Sequence, residues 1–447
     1  MKNVQMLAGW GNYPKVQSEV ITPRHAHDIL VTEVGKTIIA RGLGRSYGDQ
    51  AVNQDQLVAS CIRLNHFLSF DEATGVLACE AGVSLAEIIE VVGPKGWFPA
   101  ICPGTKYVTV GGAIANDIHG KAHHVDGSFI SYVIDFNILL ADGSIVTASR
   151  EEHPELFFAN FGGLGLLGLI LSARIQLREI NTTYFSQRAI VVQDIDEMVD
   201  TIEATNDKYQ YSVAWIDPLA KGKNLGYGVL TLGNQAMQED LPANLRKNPL
   251  KISPQKRLNV PFFLPDFALN NFSVKILNQL IYFIQKSATD IAHYERFFFP
   301  LDAINQWNRG YGKRGFTQYQ FVIPMHDAKI RLRRILEMIA GSGCTPFLNV
   351  LKKMGKQQGG ALSFPFEGYT LAIDFPISPQ LFAFIPQLDQ LIIAYGGRVY
   401  LGKDALLDQE TFRKMYPQYQ EWMKLKAKYD PDNRFSSNIA RRLGLET

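Results

Sequence analysis

Residues 103–124, PGTKYVTVGGAIANDIHGKAHH, bring four glycines, three histidines and two lysines into one short run. Residues of these types can ligate a metal, cradle a phosphate, or seat a larger cofactor. His119 and His123 stand four apart, a spacing that serves a metal only on a helix. Gly120 and the glycine-rich lead-in oppose a helix there, and no carboxylate or thiol lies at a ligand spacing, so no metal is expected. Two other motifs are decoys. Gly44–Gly48 (GRSYG) matches the nucleophile elbow of serine hydrolases, which needs a strand before it and an apolar helix after it; the polar DQAVNQDQLV follows instead. Gly163–Gly168 (GLGLLG) matches the dinucleotide fingerprint, but the order helix, glycines, strand is the reverse of what places a pyrophosphate on a helix N-terminus. Those glycines read as close-packed turn residues.

Two loops share a design that fits the third chemistry. RGLGRSYGD (41–49) and PGTKYVTVGGAIANDIHG (103–120) each supply backbone N–H groups with little side-chain obstruction, hydroxyls (Ser46, Thr105, Thr109) and a positive residue. Such loops let the backbone approach a pyrophosphate or a flat ring closely. Two of them about 60 residues apart are suited to grip both ends of a long dinucleotide.

The elements that must position these loops are legible in outline. KTIIARGLG and GVLACEAGV read as strands, and SLAEIIEVVGPKG as a short helix stopped by Gly and Pro. FNILLADGSIVTAS reads as a hairpin turning at Asp142-Gly143. EEHPELFFANFGG is a helix ending on glycine, and LGLILSARIQL a buried strand. From about residue 184 a β–α–β texture with more aromatics begins. Residues 236–266 form a basic, proline-containing stretch expected to be a long surface loop or lid, and FALNNFSVKILNQLIYFIQK an amphipathic helix. FTQYQFVIP, TPFLNVLKKM and YTLAIDFP fit an antiparallel sheet covered by helices. A chain of 447 residues is expected to divide into two domains. Apolar content of 46% and a formal charge of +2 fit a globular protein and give no footprint for nucleic acid. Four scattered cysteines at no metal or redox spacing, no signal-peptide pattern and no long apolar run lead to the expectation of a soluble, cytoplasmic protein.

Taken together, RGLGRSYGD, PGTKYVTVGGAIANDIHGKAHH, ELFFANFGGLGLLGLI, WNRGYGKRGFTQYQFVIP, FLNVLKKMG, LSFPFEGYTLAIDFP, GGRVYLGKD and the terminal ARRLGL resemble the vanillyl-alcohol-oxidase-like FAD enzymes, in family order and nearly end to end. The resemblance implies an α+β, two-domain fold: a FAD-binding domain at 1–183, an antiparallel-sheet substrate domain at 184–397, and a segment at 398–447 that completes the first. By resemblance Arg41, Gly42, Leu43, Gly44, Arg45, Ser46 and Tyr47 hold the pyrophosphate side of FAD. Gly104, Thr105, Thr109, Gly111, Gly112, Ala115, Asn116, His119, Gly120 and Tyr400 hold the rest. Arg45 stands where many relatives carry the histidine that bonds FAD covalently, so non-covalent FAD is expected.

Within the family the motifs are most similar to the branch that oxidises the 2′-hydroxyl of a polyprenylphosphoryl ribose, the first half of an epimerisation to an arabinose donor. This implies hydride transfer to the flavin, with a separate reductase finishing the epimerisation. The basic, apolar stretch near residues 246–264 fits a lipid-linked substrate and a peripheral membrane contact. Lys403, His119 and Tyr47 are the implied catalytic residues, and Lys121, Gln318, Gln320, Asn349 and Lys352 the substrate contacts. Lys403 serves either as a base, since a desolvated lysine loses its proton near neutral pH, or as a permanent charge beside the reduced ring. The bland alternatives are a structural His119, a solvated Lys352, and a Tyr47 that only packs. Gln318 and Gln320 share a strand face, while Lys353 points away from Lys352. Ala372 replaces the cysteine that covalent inhibitors capture in mycobacterial members, a change that leaves the redox chemistry intact.

Overall fold

The computed structural model describes residues 3–25, 27–30, 35–252, 257–265, 270, 273–276 and 287–447. The amphipathic segment expected at 267–286 lies largely outside these residues.

The first 180 residues build two sheets. Val4–Ala8, Lys15–Ile21, Leu57–Ser60 and Ile38–Arg41 lie side by side in that order, the last three parallel. The second sheet is antiparallel and runs Phe67–Asp71, Val76–Glu80, Leu169–Gln176, Val133–Leu139, Ile145–Ser149. The expected hairpin at Asp142-Gly143 joins its last two sequence neighbours, with Gly143 at φ +89°. The helix Leu85–Val92 starts where the sequence says it must: Ser84 and Glu87 form a reciprocal capping box, and Leu85, Ile88, Ile89 and Val92 turn inward. Between the sheets, the short helix Val110–Ala115 is capped by Thr109, whose Oγ1 accepts the Gly112 N–H at 3.3 Å. Gly111 is required there, because a Cβ would sit 2.9 Å from that of Ala81.

The second unit is one eight-stranded antiparallel sheet in the order Ala288–His293, Tyr184–Val192, Gly228–Gln235, Tyr211–Ile216, Asn349–Met354, Gly368–Pro376, Phe316–Pro324, Arg398–Val399. The helices Ile195–Thr205, Ala328–Gly341 and Pro379–Ala394 cover one face, fastened in part by Lys353–Glu203 (2.7 Å) and Arg333–Asp196 (2.7 Å). The other face looks toward the first unit. Within the expected lid at 236–266, of which 253–256 and 266 lie outside the described residues, Ala243–Arg246 is a short helix and Leu258–Asn259 pairs with Ile304–Asn305.

Residues beyond 398 return to the first unit. Phe435 bridges Ile38 in parallel, the fully buried Lys426 donates to the Leu166 carbonyl at 2.7 Å, and Trp422 donates to that of Ala159. The terminal segment is helical over Tyr419–Tyr429, irregular, then helical again over Asn438–Leu443.

Candidate active site

Where the two units face each other lies a cavity with about 2100 Å³ of space unfilled by protein atoms, part of it reaching open solvent. One wall is glycine-rich backbone: Gly42 and Gly44 from the first loop, Gly104, Gly111 and Gly112 from the second, and Gly165 and Gly168 from the run between helix and strand. That third run was expected only to pack in a turn. Leu164, Gly165 and Gly168 in fact line the cavity, with φ of +59°, +76° and +157°.

The opposite wall is the open face of the eight-stranded sheet. Register sets its chemistry, because Gln318 lies opposite Asp374 and Gln320 opposite Ala372. Val350 and Lys352 extend the same face on the neighbouring strand. Gln318 donates to Asp374 Oδ1 at 2.6 Å, and the Tyr311 hydroxyl to Oδ2 at 2.8 Å. Gln320 Nε2 reaches Thr370 Oγ1 at 3.2 Å and His119 Nε2 at 3.0 Å. An amide donor on Nε2 leaves His119 its proton on Nδ1, an atom that is buried and has no partner among the described residues. The ring packs beside Phe364 and Tyr400, and the Tyr400 hydroxyl bonds the Asn116 carbonyl at 2.8 Å.

Lys403 enters from the turn after Arg398–Val399 and sets its ammonium 3.7 Å from the centre of the Tyr47 ring. Burial pushes Lys403 down to about 7, with Lys352 adding to the effect and Asp374 opposing it. Burial likewise raises Asp374 to about 7, against the pull of Gln318, Tyr311 and Lys403. Lys352 falls to about 8, and burial with Lys352 and Lys403 nearby holds His119 well below the ordinary histidine range. The site therefore pairs a neutral imidazole with a lysine and a carboxylate that both titrate near neutrality.

Most of the residues singled out in the sequence converge here. Arg41, Leu43, Arg45, Ser46, Tyr47, Thr105, Thr109, Ala115, Asn116, His119, Gln318, Gln320, Lys352, Tyr400 and Lys403 all line the cavity with the glycines above. Three do not. Lys121 turns away to donate to the Phe297 carbonyl, with its charge against that ring. Gly120 lies against the Cys102 carbonyl, where a Cβ would come within 2.5 Å. Asn349 is fully buried on the sheet's other face, three residues from Lys352 and so of opposite parity. Asp374 and Tyr311 were missed by sequence reasoning. The signal for Asp374 was the alternation of YTLAIDFP, which puts Thr370, Ala372 and Asp374 on one face.

The glycine wall fits a bound dinucleotide. The N–H groups of Leu43, Gly44, Arg45 and Ser46 find no acceptor among the described residues and lie on half-buried or exposed backbone along the cavity, which leaves them free to donate to a bound pyrophosphate. Asn116 Oδ1 is likewise buried without a partner there, and nothing stands within 4 Å of where a Gly104 Cβ would be. Such a seat, in an α+β unit closed by a distant C-terminal segment and faced by a large antiparallel sheet, is that of a FAD-dependent oxidoreductase of the vanillyl-alcohol-oxidase type. Comparison with known proteins agrees. Residues 29–149 match the family described as FAD binding domain, and residues 268–443 that described as D-arabinono-1,4-lactone oxidase. The decaprenylphosphoryl-β-D-ribose oxidase of Mycolicibacterium smegmatis is 38% identical across 98% of this chain and 97% of its own length. An uncharacterised protein of Streptomyces coelicolor is 32% identical over 81% of this chain and all of its own length. Cytokinin dehydrogenase 2 of Arabidopsis thaliana matches at 31% over only 31% of the chain and 28% of its own length. The chain belongs to the decaprenylphosphoryl-β-D-ribose oxidase family. No helix among the described residues is long and apolar enough to cross a membrane.

Proposed function

We propose that this protein oxidises the 2′-hydroxyl of a polyprenylphosphoryl-β-D-ribose to the 2′-keto sugar, using non-covalently held FAD. The observation that carries the reading is the polar sheet face of Gln318, Gln320 and Lys352 set across one cavity from the glycine wall, with Lys403 lining it too and the buried Asp374 holding Gln318 from behind. FAD, when bound, supplies the acceptor for the hydride equivalent leaving the carbinol carbon. The chain's residues do the rest. Lys403 in its neutral form accepts the hydroxyl proton, and Asp374 adjusts how readily it is neutral. Gln318 and Gln320 orient the pentose hydroxyls. His119, kept neutral, lines the seat and holds Gln320 through its Nε2. Lys352 meets the negative charge of the sugar phosphate. Tyr47 serves as the platform on which Lys403 rests.

Arg45 supports non-covalent attachment: its guanidinium lies 4.4 Å from the Trp10 ring centre and has no lone pair with which to bond a flavin. Leu258 and Phe262, 72% and 63% exposed, follow closely in sequence on Arg257, which lines the cavity. They favour a lipid-linked substrate presented at a membrane surface. A 2′-keto product calls for a separate hydride donor enzyme to complete an epimerisation. The family match over 268–443 favours a second reading, oxidation of a soluble sugar or aldonolactone. One experiment separates the two. Anaerobic addition of a short-chain prenylphosphoryl ribose is expected to bleach the flavin bands, while free pentoses, polyols and lactones leave them unchanged. Bleaching by a lactone alone transfers the assignment to the second reading, and acid precipitation is expected to release the flavin into the supernatant.

A further inference from the structure

A second cavity, with about 630 Å³ of space unfilled by protein atoms and part of it open to solvent, shares no lining residue with the first. Arg398, the arginine of GGRVYLGKD, lines it although the residue is only 8% exposed. Its guanidinium lies against two rings, 4.9 Å from the centre of Phe366 and 5.2 Å from that of Tyr416. Nε donates to the Phe364 carbonyl at 2.9 Å, and Nη2 to Gln357 Oε1 at 3.0 Å and the Pro365 carbonyl at 3.2 Å. All three acceptors are neutral. Nη1 has no acceptor among the described residues, yet it is not one of the atoms sealed from solvent, so it opens on the cavity. No carboxylate pairs with Arg398 among the described residues, and burial presses it below the ordinary arginine range with Tyr416 opposing. Taking a cation out of water with no anion beside it is unfavourable.

The same cavity carries a helix end. Gln418, the cap residue of the 11-residue helix Tyr419–Tyr429, lines it and makes no side-chain cap. The N–H groups of Gln418 and Gln420 have no acceptor among the described residues, and Glu421, in the helix's first turn, is exposed and bonds none of these donors. A helix N-terminus presents partial positive charge and free donors, the features that hold a phosphate. We propose that Arg398 and the N-terminus of Tyr419–Tyr429 form a phosphate site distinct from the flavin cavity, taking inorganic phosphate or the phosphate end of a small monoester. Nη1 gives the anion a charge-assisted hydrogen bond, and Phe366 and Met415 offer an apolar wall to an organic body. The anion also braces the chain that Arg398 holds. The Phe364 ring, whose carbonyl accepts from Nε, packs 5.5 Å from His119 and 4.8 Å from Tyr400, two residues of the first cavity. The inference does not depend on which alcohol the protein oxidises.

The test is calorimetric titration of the FAD-loaded protein with inorganic phosphate, in a buffer free of it, read beside amide hydrogen exchange. Saturable binding is expected, with exchange slowed at 357–366 and 416–420. Gln418→Glu, at an exposed position, sets a negative charge at the helix end and is expected to weaken phosphate by about tenfold or more, the scale of one charge-assisted hydrogen bond lost. Arg398→Met is expected to abolish binding. Should that variant lose its fold with the Phe364 and Pro365 carbonyls left bare, Gln418→Glu still decides the matter. Glycerol phosphate that binds more tightly than inorganic phosphate makes a monoester the occupant, and equal or weaker binding makes it free phosphate; both support the site. A native protein that takes up no phosphate at millimolar concentration overturns the inference. So does binding of undiminished strength in Gln418→Glu, or protection confined to the 41–49 and 103–120 loops, which places the anion in the first cavity.

Discussion

Gly48→Ala is the sharpest single perturbation the site offers. A Cβ at this position would lie 1.8 Å from the Asp404 carbonyl oxygen and 2.6 Å from its carbon, and these are backbone atoms with no rotamer to yield. Real Cβ contacts are not closer than 3.0 Å, so the first loop and the Lys403 turn must separate by ~1.2 Å or more, and displacement of a catalytic group by that amount costs about 10²-fold in rate. That corresponds to ~2.7 kcal/mol of transition-state stabilisation. The separation falls between Tyr47 and Lys403, so chemistry should suffer more than substrate binding. The assay is stopped-flow flavin reduction under anaerobic conditions, at saturating substrate, on protein whose FAD content has been matched by absorbance. Gly341→Ala, on the outer helix with nothing within 4 Å of the added methyl, controls for the general effect of replacing a glycine. A Gly48→Ala protein that holds FAD and reduces it at the native rate would refute the claim that this contact sets Lys403 in place.

Lys403→Met should retain bound FAD and lose at least about 10²-fold in the rate of flavin reduction, the range for removal of a general base. Asp374→Asn removes the carboxylate that favours protonated Lys403, so the rise in reduction rate with pH is expected to begin at lower pH than in the native protein; a shift upward contradicts the electrostatic account. Lys106→Met strands the buried Glu295, its partner at 3–4% side-chain exposure, between the second glycine loop and the substrate unit. A loss of ~3–5 kcal/mol is expected by chemical denaturation, with partial recovery in Lys106→Met/Glu295→Gln. Ala372→Cys places a thiol on the cavity's sheet face, while the native Cys61, which also lines the cavity, is 6% exposed and the other three cysteines are buried outside it; a substrate-sized maleimide should label the variant at position 372 faster than the native protein, and prior substrate should slow it.

The antiparallel sheet and the residues it points into the cavity were readable because a strand's period is two. Gln318 and Gln320 had to share a face, and Lys352 and Lys353 had to part. The same rule applied across the interval from Asn349 to Lys352 separates those two residues, and the structure follows the rule rather than the resemblance that grouped them. Asp374 was harder to find, since its importance lies in the register that sets it opposite Gln318, 56 positions away. The three glycine runs were visible as composition, yet only the fold shows that Gly163–Gly168 meets the other two. A motif that contradicts one mechanism by its order of elements still supplies small residues wherever the chain brings it. Lys121 was misplaced because a loop of glycines and short side chains leaves the direction of a long one undetermined. Here the Phe297 carbonyl and ring decide it.

The return of the chain to its first unit has a consequence for how the molecule is born. Lys426 anchors Leu166 across 260 positions, and Arg442 reaches Asp49 across 393. At ribosomal rates of about 5–20 residues per second, the glycine wall waits roughly 13–50 s after leaving the tunnel before its last supports emerge. During that interval the eight-stranded sheet is being made and has time to fold as a unit in its own right. Capture of the flavin is thereby placed after synthesis rather than during it, so a nascent chain stalled before residue 426 should leave the ribosome colourless even in a cell replete with FAD.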